Sequence, residues 1–229
     1  MRYRLLFCFF VGLAGELQAQ ILFCLDRKQN AVSFSGGVNK NESFYTASIA
    51  RGFHFNIFNI LKDEITLFLD ATEKTNFYDD NAFRVAYGGQ GSLYSVRKFK
   101  LPFRKTFTVT RLNAPIYQAT YIGAEFELMP GIYTSRYFVA FDIYYGDNFR
   151  GHVSASDKTK QVVRDVGNGW FKPRVANFRL GINVGYYVMP RVCLYGNIDF
   201  FVARPKDSEL VYYPSFPRVF GFVGVNYLF

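Results

Sequence analysis

The stretch "RVANFRLGINVGYYV", residues 174–188, alternates with a period of two. Ala176, Phe178, Leu180, Ile182, Val184, Tyr186 and Val188 fall on one face of an extended chain, and Asn177, Arg179, Gly181, Asn183 and Gly185 on the other. A helix would scatter both sets around its axis, so the pattern reads as a strand. "YTSRYFVAFDIYY" (133–145) repeats it, with Tyr133, Tyr137, Val139, Phe141, Ile143 and Tyr145 opposite Thr134, Arg136, Ala140 and Asp142. "VCLYGNIDFFV" (192–202) repeats it again, with Val192, Leu194, Ile198, Phe200 and Val202 against Asn197 and Asp199. Each segment runs for about ten residues or more, against ~5 to 6 in globular strands and about 9 to 11 in tilted membrane strands.

Alternation alone fits a soluble sandwich as well, where the apolar face packs inward and the polar face meets water. The rest of the chain favours a membrane. With 229 residues, 50% hydrophobic and 20% aromatic, it has room for one domain and is not disordered. "MRYRLLFCFFVGLAGELQAQ" opens with Arg2 and Arg4, continues with an apolar stretch and reaches a cleavage pattern at Leu17, Gln18 and Ala19. Residues 1–19 therefore read as a secretory signal peptide, too short in its apolar run for the roughly 18 to 20 residues of a spanning helix. Residues 20–30 read as a periplasmic N-terminal stub, and 31–229 as the folded body. No later run suits a transmembrane helix.

The formal net charge is +9, and losing the leader leaves the chain basic. For an exported protein this points to phosphate-rich lipids or polyanions, and nucleic acid is not expected as a partner. Cys8 leaves with the leader, so the mature chain keeps Cys24 and Cys193, which make no disulfide framework. With His54 and His152 as the only histidines there is no zinc-like spacing, and no metal or cofactor is expected.

Ten strands fit the pattern at about 31–38, 44–57, 65–75, 83–97, 105–112, 117–128, 132–146, 174–188, 191–204 and 218–229. The fold class is then all-β: a transmembrane antiparallel up-and-down β-barrel. Tight turns at "MPG" (129–131) and "MPR" (189–191) fall at one end, and a long loop, about 147–173, at the other. Barrels of bacterial outer membranes have short periplasmic turns and longer outer loops. If "SVRKFKLPFRKTFTVTRLNAP" (95–115) is one excursion, the count drops to eight. Tyr133, Tyr145 and Tyr186 would face outward at the interfacial girdles. Arg51 breaks the alternation by pointing at lipid, which a bulge or a place near the rim would relieve.

The last strand, "FGFVGVNYLF" (220–229), puts Val223, Val225, Tyr227 and Phe229 on one side. This ending resembles the C-terminal assembly signal of Gram-negative outer-membrane β-barrel proteins, without pointing to a subfamily. The resemblance implies a cell outer-membrane location, recognition by the barrel assembly machinery, and a last strand that closes against the first. It also implies contact with outer-membrane lipids and lipopolysaccharide. A monomer is expected. It says nothing of activity, because barrels host pores, enzymes and anchors alike.

Four constellations could carry function. Asp70, Arg84, Glu125, Glu127, Arg136, Asp142, Arg179 and Asp199 would face the lumen, either lining a polar channel or filling it as a salt-bridged plug; so narrow a barrel favours the plug. In "GHVSAS" (151–156), His152 and Ser154 form a His-x-Ser pair with Asp157 or Asp165 behind it, a pattern similar to that of small lipid A deacylase barrels. Here the pair would sit at the start of a loop, where a solvated His and Ser is the plainer reading. The basic run "RKFKLPFRK" (97–105) could bind phosphates if outside but reads as a periplasmic turn, and "GGQG" (88–91) reads as a bend or crowded lumen rather than a phosphate loop. Finally, Cys193 would point into the lumen near the lower mouth, within reach of Cys24 on the stub, so a disulfide is conceivable in an oxidising compartment. The expected role is a structural or surface-binding barrel with a filled lumen; a small passive pore and a lipid A deacylase-like hydrolase are the alternatives.

Overall fold

The computed structural model describes residues 30–38, 42–54, 64–76, 81–113, 117–155, 169–172, 175–203 and 219–229. The expected leader, Cys24 and most of the stub lie outside these residues; Asn30, counted with the stub, already belongs to a strand. The elements are β1 (Asn30–Val38), β2 (Glu42–His54), β3 (Glu64–Asn76), β4 (Asn81–Val96), β5 (Phe99–Asn113) and β6 (Tyr117–Leu128), followed by β7 (Gly131–Tyr133), β8 (Tyr137–Ala155), β9 (Gly169–Phe171), β10 (Val175–Met189), β11 (Val192–Ala203) and β12 (Val219–Leu228).

These segments make ten staves of a closed antiparallel barrel, with two short strands beside the ten long ones. β7 continues the line of β6, because both sit between β5 and β8, and β9 continues β10 along the edge of β8. Closure comes from β12 against β1, where Phe34 faces Val225 and Ala31 faces Leu228. Asn30 and Phe229 exchange backbone bonds of 3.0 and 2.9 Å at the seam. Following the ladder from Ser35 one way reaches Gly151 of β8, and the other way Phe138 of the same strand. That offset is the stagger that tilts the strands of a barrel.

The eight-strand alternative is excluded. Residues 95–115 hold the β4–β5 hairpin, which reverses at Arg97 and Lys98. Arg97 takes a left-handed φ of 55°, the conformation a tight hairpin turn requires. Two other boundaries also move. Met129 and Pro130 are not a reversal: the chain runs straight on, Met129 N–H donating to Pro102 C=O at 2.9 Å and Phe141 N–H to Pro130 C=O at 2.9 Å. Proline lacks an N–H, so it interrupts the ladder without turning the chain. The reversal comes at Thr134, Ser135 and Arg136, where Thr134 Oγ1 accepts from Tyr137 N–H at 3.0 Å and donates to its carbonyl at 2.8 Å. The long loop is shorter than 147–173, because β8 runs to Ala155 and β9 rejoins the wall at Gly169. The turn at Pro190 and Arg191 lies where expected.

The outer wall carries the apolar faces: Leu69, Tyr87, Val109, Phe141, Ile182 and Phe200 are all exposed. Tyr145 and Tyr186 point outward as expected, but Tyr133 is buried and stacks on Phe138 at 5.6 Å. Its parity is that of Glu125, Glu127 and Met129 on the stave before the turn, so it faces in. Arg51 is exposed beside Asn30, the first residue of β1, with its guanidinium 5.4 Å from the Phe53 ring. It therefore sits by the rim, where a long side chain reaches polar surroundings.

Candidate functional site

The end holding Asn30, Phe229 and the three tight turns is called lower here, and the opposite end upper. Inward-facing side chains fill the barrel in layers. Near the lower end lies an apolar cluster that includes Met129, Tyr133, Phe138, Cys193 and Leu228. Phe44 and Phe222 extend this cluster over Gly37 of β1, with rings edge to face at 6.3 Å. Toward the upper end, Ala82, Leu112, Ala119 and Tyr121 form a second cluster, with Phe171 packed against it at 6.0 Å from the Tyr121 ring.

Between and beside these clusters runs a network of charges. Arg84 on β4 donates one nitrogen to both oxygens of Glu125 on β6, at 2.8 and 2.6 Å. Arg104 on β5 pairs with Asp70 on β3 and lies 4.0 Å from the Phe68 ring centroid. Both pairs reach over an intervening strand. Gly88 of β4 lies on the path from Arg104 to Asp70: a Cβ there would come within 2.7 Å of the Phe68 ring, so only glycine leaves room. Arg179 on β10 reaches Asp199 on β11 at 3.4 Å and stacks 3.6 Å from the Tyr144 centroid.

Asp142 accepts from the amides of Asn183 and Asn197 at 3.1 and 3.0 Å, and Asn197 donates to Asn183 at 2.9 Å. Hydroxyls link the remaining staves: Thr46 donates to Thr72 at 2.8 Å, and Ser33 meets the Tyr195 hydroxyl at 3.0 Å. Arg179, Asp70, Asp142 and Asp199 are each 2% exposed or less. Arg84, Arg104 and Arg179 each have a carboxylate within reach, which is what a charge withdrawn from water requires.

Of the eight residues expected in the lumen, the structure brings together Asp70, Arg84, Glu125, Glu127, Asp142, Arg179 and Asp199. Arg136 is the exception: it lies exposed on the turn after β7. The displaced reversal is the reason, because alternation holds only along one uninterrupted strand. Two inward charges were missed, Arg104 and Lys74. Arg104 was hidden inside a basic run read as a turn; its parity with Thr106 and Thr108 is the sign that finds it.

His152 and Ser154 are not at the start of a loop. They stand on β8, where Gly151 and Val153 face the lumen and His152 and Ser154 take the outer face, half-buried and exposed respectively. The His152 ring packs edgewise on Trp170 at 5.0 Å. Asp157 and Asp165, the acids expected behind the pair, lie outside the described residues. Cys193 is buried, faces the lumen near the lower mouth and carries a free thiol, whereas Cys24 is outside the described residues. Among the described residues no His, Cys, Asp and Glu group is arranged to hold a metal ion.

No protein-family model matches the chain, and no curated protein matches it in sequence. Among solved structures, the translocator domain of the autotransporter NalP from Neisseria meningitidis is similar in outline. The match covers 91% of each chain at 9% identity with a TM-score of 0.46, a level of likeness that carries no information about activity.

Proposed function

We propose that the protein is an outer-membrane β-barrel whose lumen is filled by its own side chains, and whose role is structural or surface-binding rather than conductive. The observation that carries this reading is the inversion of the usual globular pattern. Large apolar side chains cover the outside, while paired charges and amides occupy the inside. Water cannot stabilise such an exterior, whereas hydrocarbon can, and a closed sheet leaves no backbone edge unsatisfied in lipid. Assembly by the outer-membrane machinery, through Val223, Val225, Tyr227 and Phe229, belongs to the same reading. These residues stand on the outer face of the strand that closes the ring.

The upper end, toward which β8 and β11 run, would then face the cell exterior and offer the binding surface. The lower end, with its tight turns, would face the periplasm. The salt-bridged lumen favours the filled barrel over the passive pore.

Trp170 is the one tryptophan of the chain and stands exposed on the outer wall, which makes it a probe. Refolded protein in phospholipid vesicles should show Trp170 quenched by lipids brominated near the headgroup more than by lipids brominated near the chain ends. Protein that stays out of the vesicles, with Trp170 unquenched by either lipid, would overturn the membrane reading.

A further inference from the structure

The upper rim of the outer wall carries a group of side chains that the filled lumen does not use. Arg150 on β8 places its guanidinium 4.8 Å from the Trp170 ring, and His152 packs on the same indole at 5.0 Å. Trp170 is 56% exposed, and Lys172 follows it, also exposed. Along the same outward row, His152 faces Thr120 of β6, and Thr120 faces Arg111 of β5. Arg111 is exposed and donates to Gln118 at 3.1 Å. Ser154 is exposed at the top of the same wall. Below Arg111 and Thr120 the wall of β5 and β6 turns apolar, with Val109 and Phe126 exposed, while on β8 Asp147 stands on the outer face below Arg150.

This arrangement differs from a solvated charged face in two ways. The charges of the group are all basic, the nearest described acid on this face, Asp147, makes no ion pair with them, and among the described residues no ion pair engages Arg150, Arg111 or Lys172. Their neighbours are instead an indole, an imidazole, an amide and hydroxyls, groups that hold a cation in place or donate to an anion without neutralising it. An indole beside cations at the edge of an apolar belt sits where a bilayer passes from hydrocarbon to headgroups. A guanidinium already stacked on a ring loses little freedom when it takes a phosphate in its fork.

We propose that Arg150, Trp170 and His152, flanked by Lys172 and Arg111, form a subsite for the phosphate of an anionic lipid headgroup at the upper rim of the barrel. The inference rests on the membrane reading above. It also gives His152 and Ser154 a role, as donors to a headgroup on the outer wall.

The test uses the full refolded chain in vesicles of zwitterionic phosphatidylcholine, with or without a lipid ending in a phosphate monoester, followed by Trp170 emission and by native mass spectrometry of bound lipids. The phosphate lipid should shift the emission saturably and be enriched among lipids that stay bound. R150A should weaken that enrichment about fivefold, the equivalent of ~1 kcal/mol for one basic residue at a charged surface. W170F should also weaken it, read by mass spectrometry alone. R97A at the opposite rim should leave it unchanged. Folding of each variant is checked by its heat-modifiable mobility.

Wild-type protein that inserts and folds but binds both lipids equally would overturn the subsite while leaving the membrane reading intact. Protein that inserts into neither vesicle would overturn both. Equal effects of R97A and R150A would reduce the attraction to unspecific charge and overturn the subsite. Inorganic phosphate producing the same emission shift in zwitterionic vesicles would assign the site to a soluble anion and overturn the lipid.

Discussion

Arg84 and Glu125 meet inside the barrel over one intervening stave, one guanidinium nitrogen lying 2.8 and 2.6 Å from the two carboxylate oxygens. The strand between them, β5, passes beneath the pair with Thr106, Thr108 and Thr110. The pair therefore ties three staves together and occupies space that a channel would need.

Removing either partner should strand the other in a site with little water. Arg84→Ala and Glu125→Ala are each expected to destabilise the barrel by about 3 to 5 kcal/mol, and the double variant by less than their sum. Urea titration of the folded, fast-migrating form measures all three. Additive losses would show that the two charges do not depend on each other.

Arg179 on the eighth stave and Arg136 on the turn before the seventh should behave differently. Arg179 stacks on Tyr144 and pairs with Asp199, so Arg179→Ala should lower the urea midpoint clearly. Arg136 is exposed on a turn, and Arg136→Ala should change stability by no more than about 0.5 kcal/mol. Equal losses for both would place Arg136 in the lumen after all.

Gly88 and Gly89 are adjacent, yet they should tolerate a side chain very differently. At Gly88 an added Cβ would run into the backbone carbonyl oxygen of Lys105 and press on the Phe68 ring at 2.7 Å, whereas at Gly89 its nearest neighbour is the tip of Leu67 at 3.6 Å. Gly88→Val should abolish or sharply reduce the folded form, and Gly89→Val should fold as wild type does. The ratio of folded to unfolded bands after refolding decides between them.

Tyr227 and Phe229 stack at 6.2 Å on the outer face of the strand that closes the ring. A charge at the end of this strand would face the border of the hydrocarbon, where a basic residue costs up to about 1 kcal/mol and an acidic one less. Phe229→Asp should therefore lower the yield of folded barrel in outer-membrane fractions, whereas Phe229→Trp should preserve it. Equal yields for all three proteins would remove the assembly role given to this strand.

Much of this was legible from alternation, and the failures share a cause. Wherever a strand runs unbroken, as in β10 or β11, parity alone assigns Arg179, Asn183, Asn197 and Asp199 to the interior. Parity is silent on where one strand ends and the next begins. Met129 and Pro130 look like a turn, but the chain passes straight through them, and so Tyr133 and Arg136 were given the wrong side. Arg104 was lost for the opposite reason: a cluster of basic residues and Pro102 resembled a loop although the ladder continues through it. The pairing of specific charges across a skipped strand depends on the barrel's stagger, which no single strand encodes.

A filled lumen is tested most directly by single-channel recording of the refolded wild-type chain in planar bilayers. With paired charges and two apolar clusters occupying the interior, the barrel should insert and give no stepwise conductance at moderate voltage. Stable, uniform openings from the wild-type protein would contradict it.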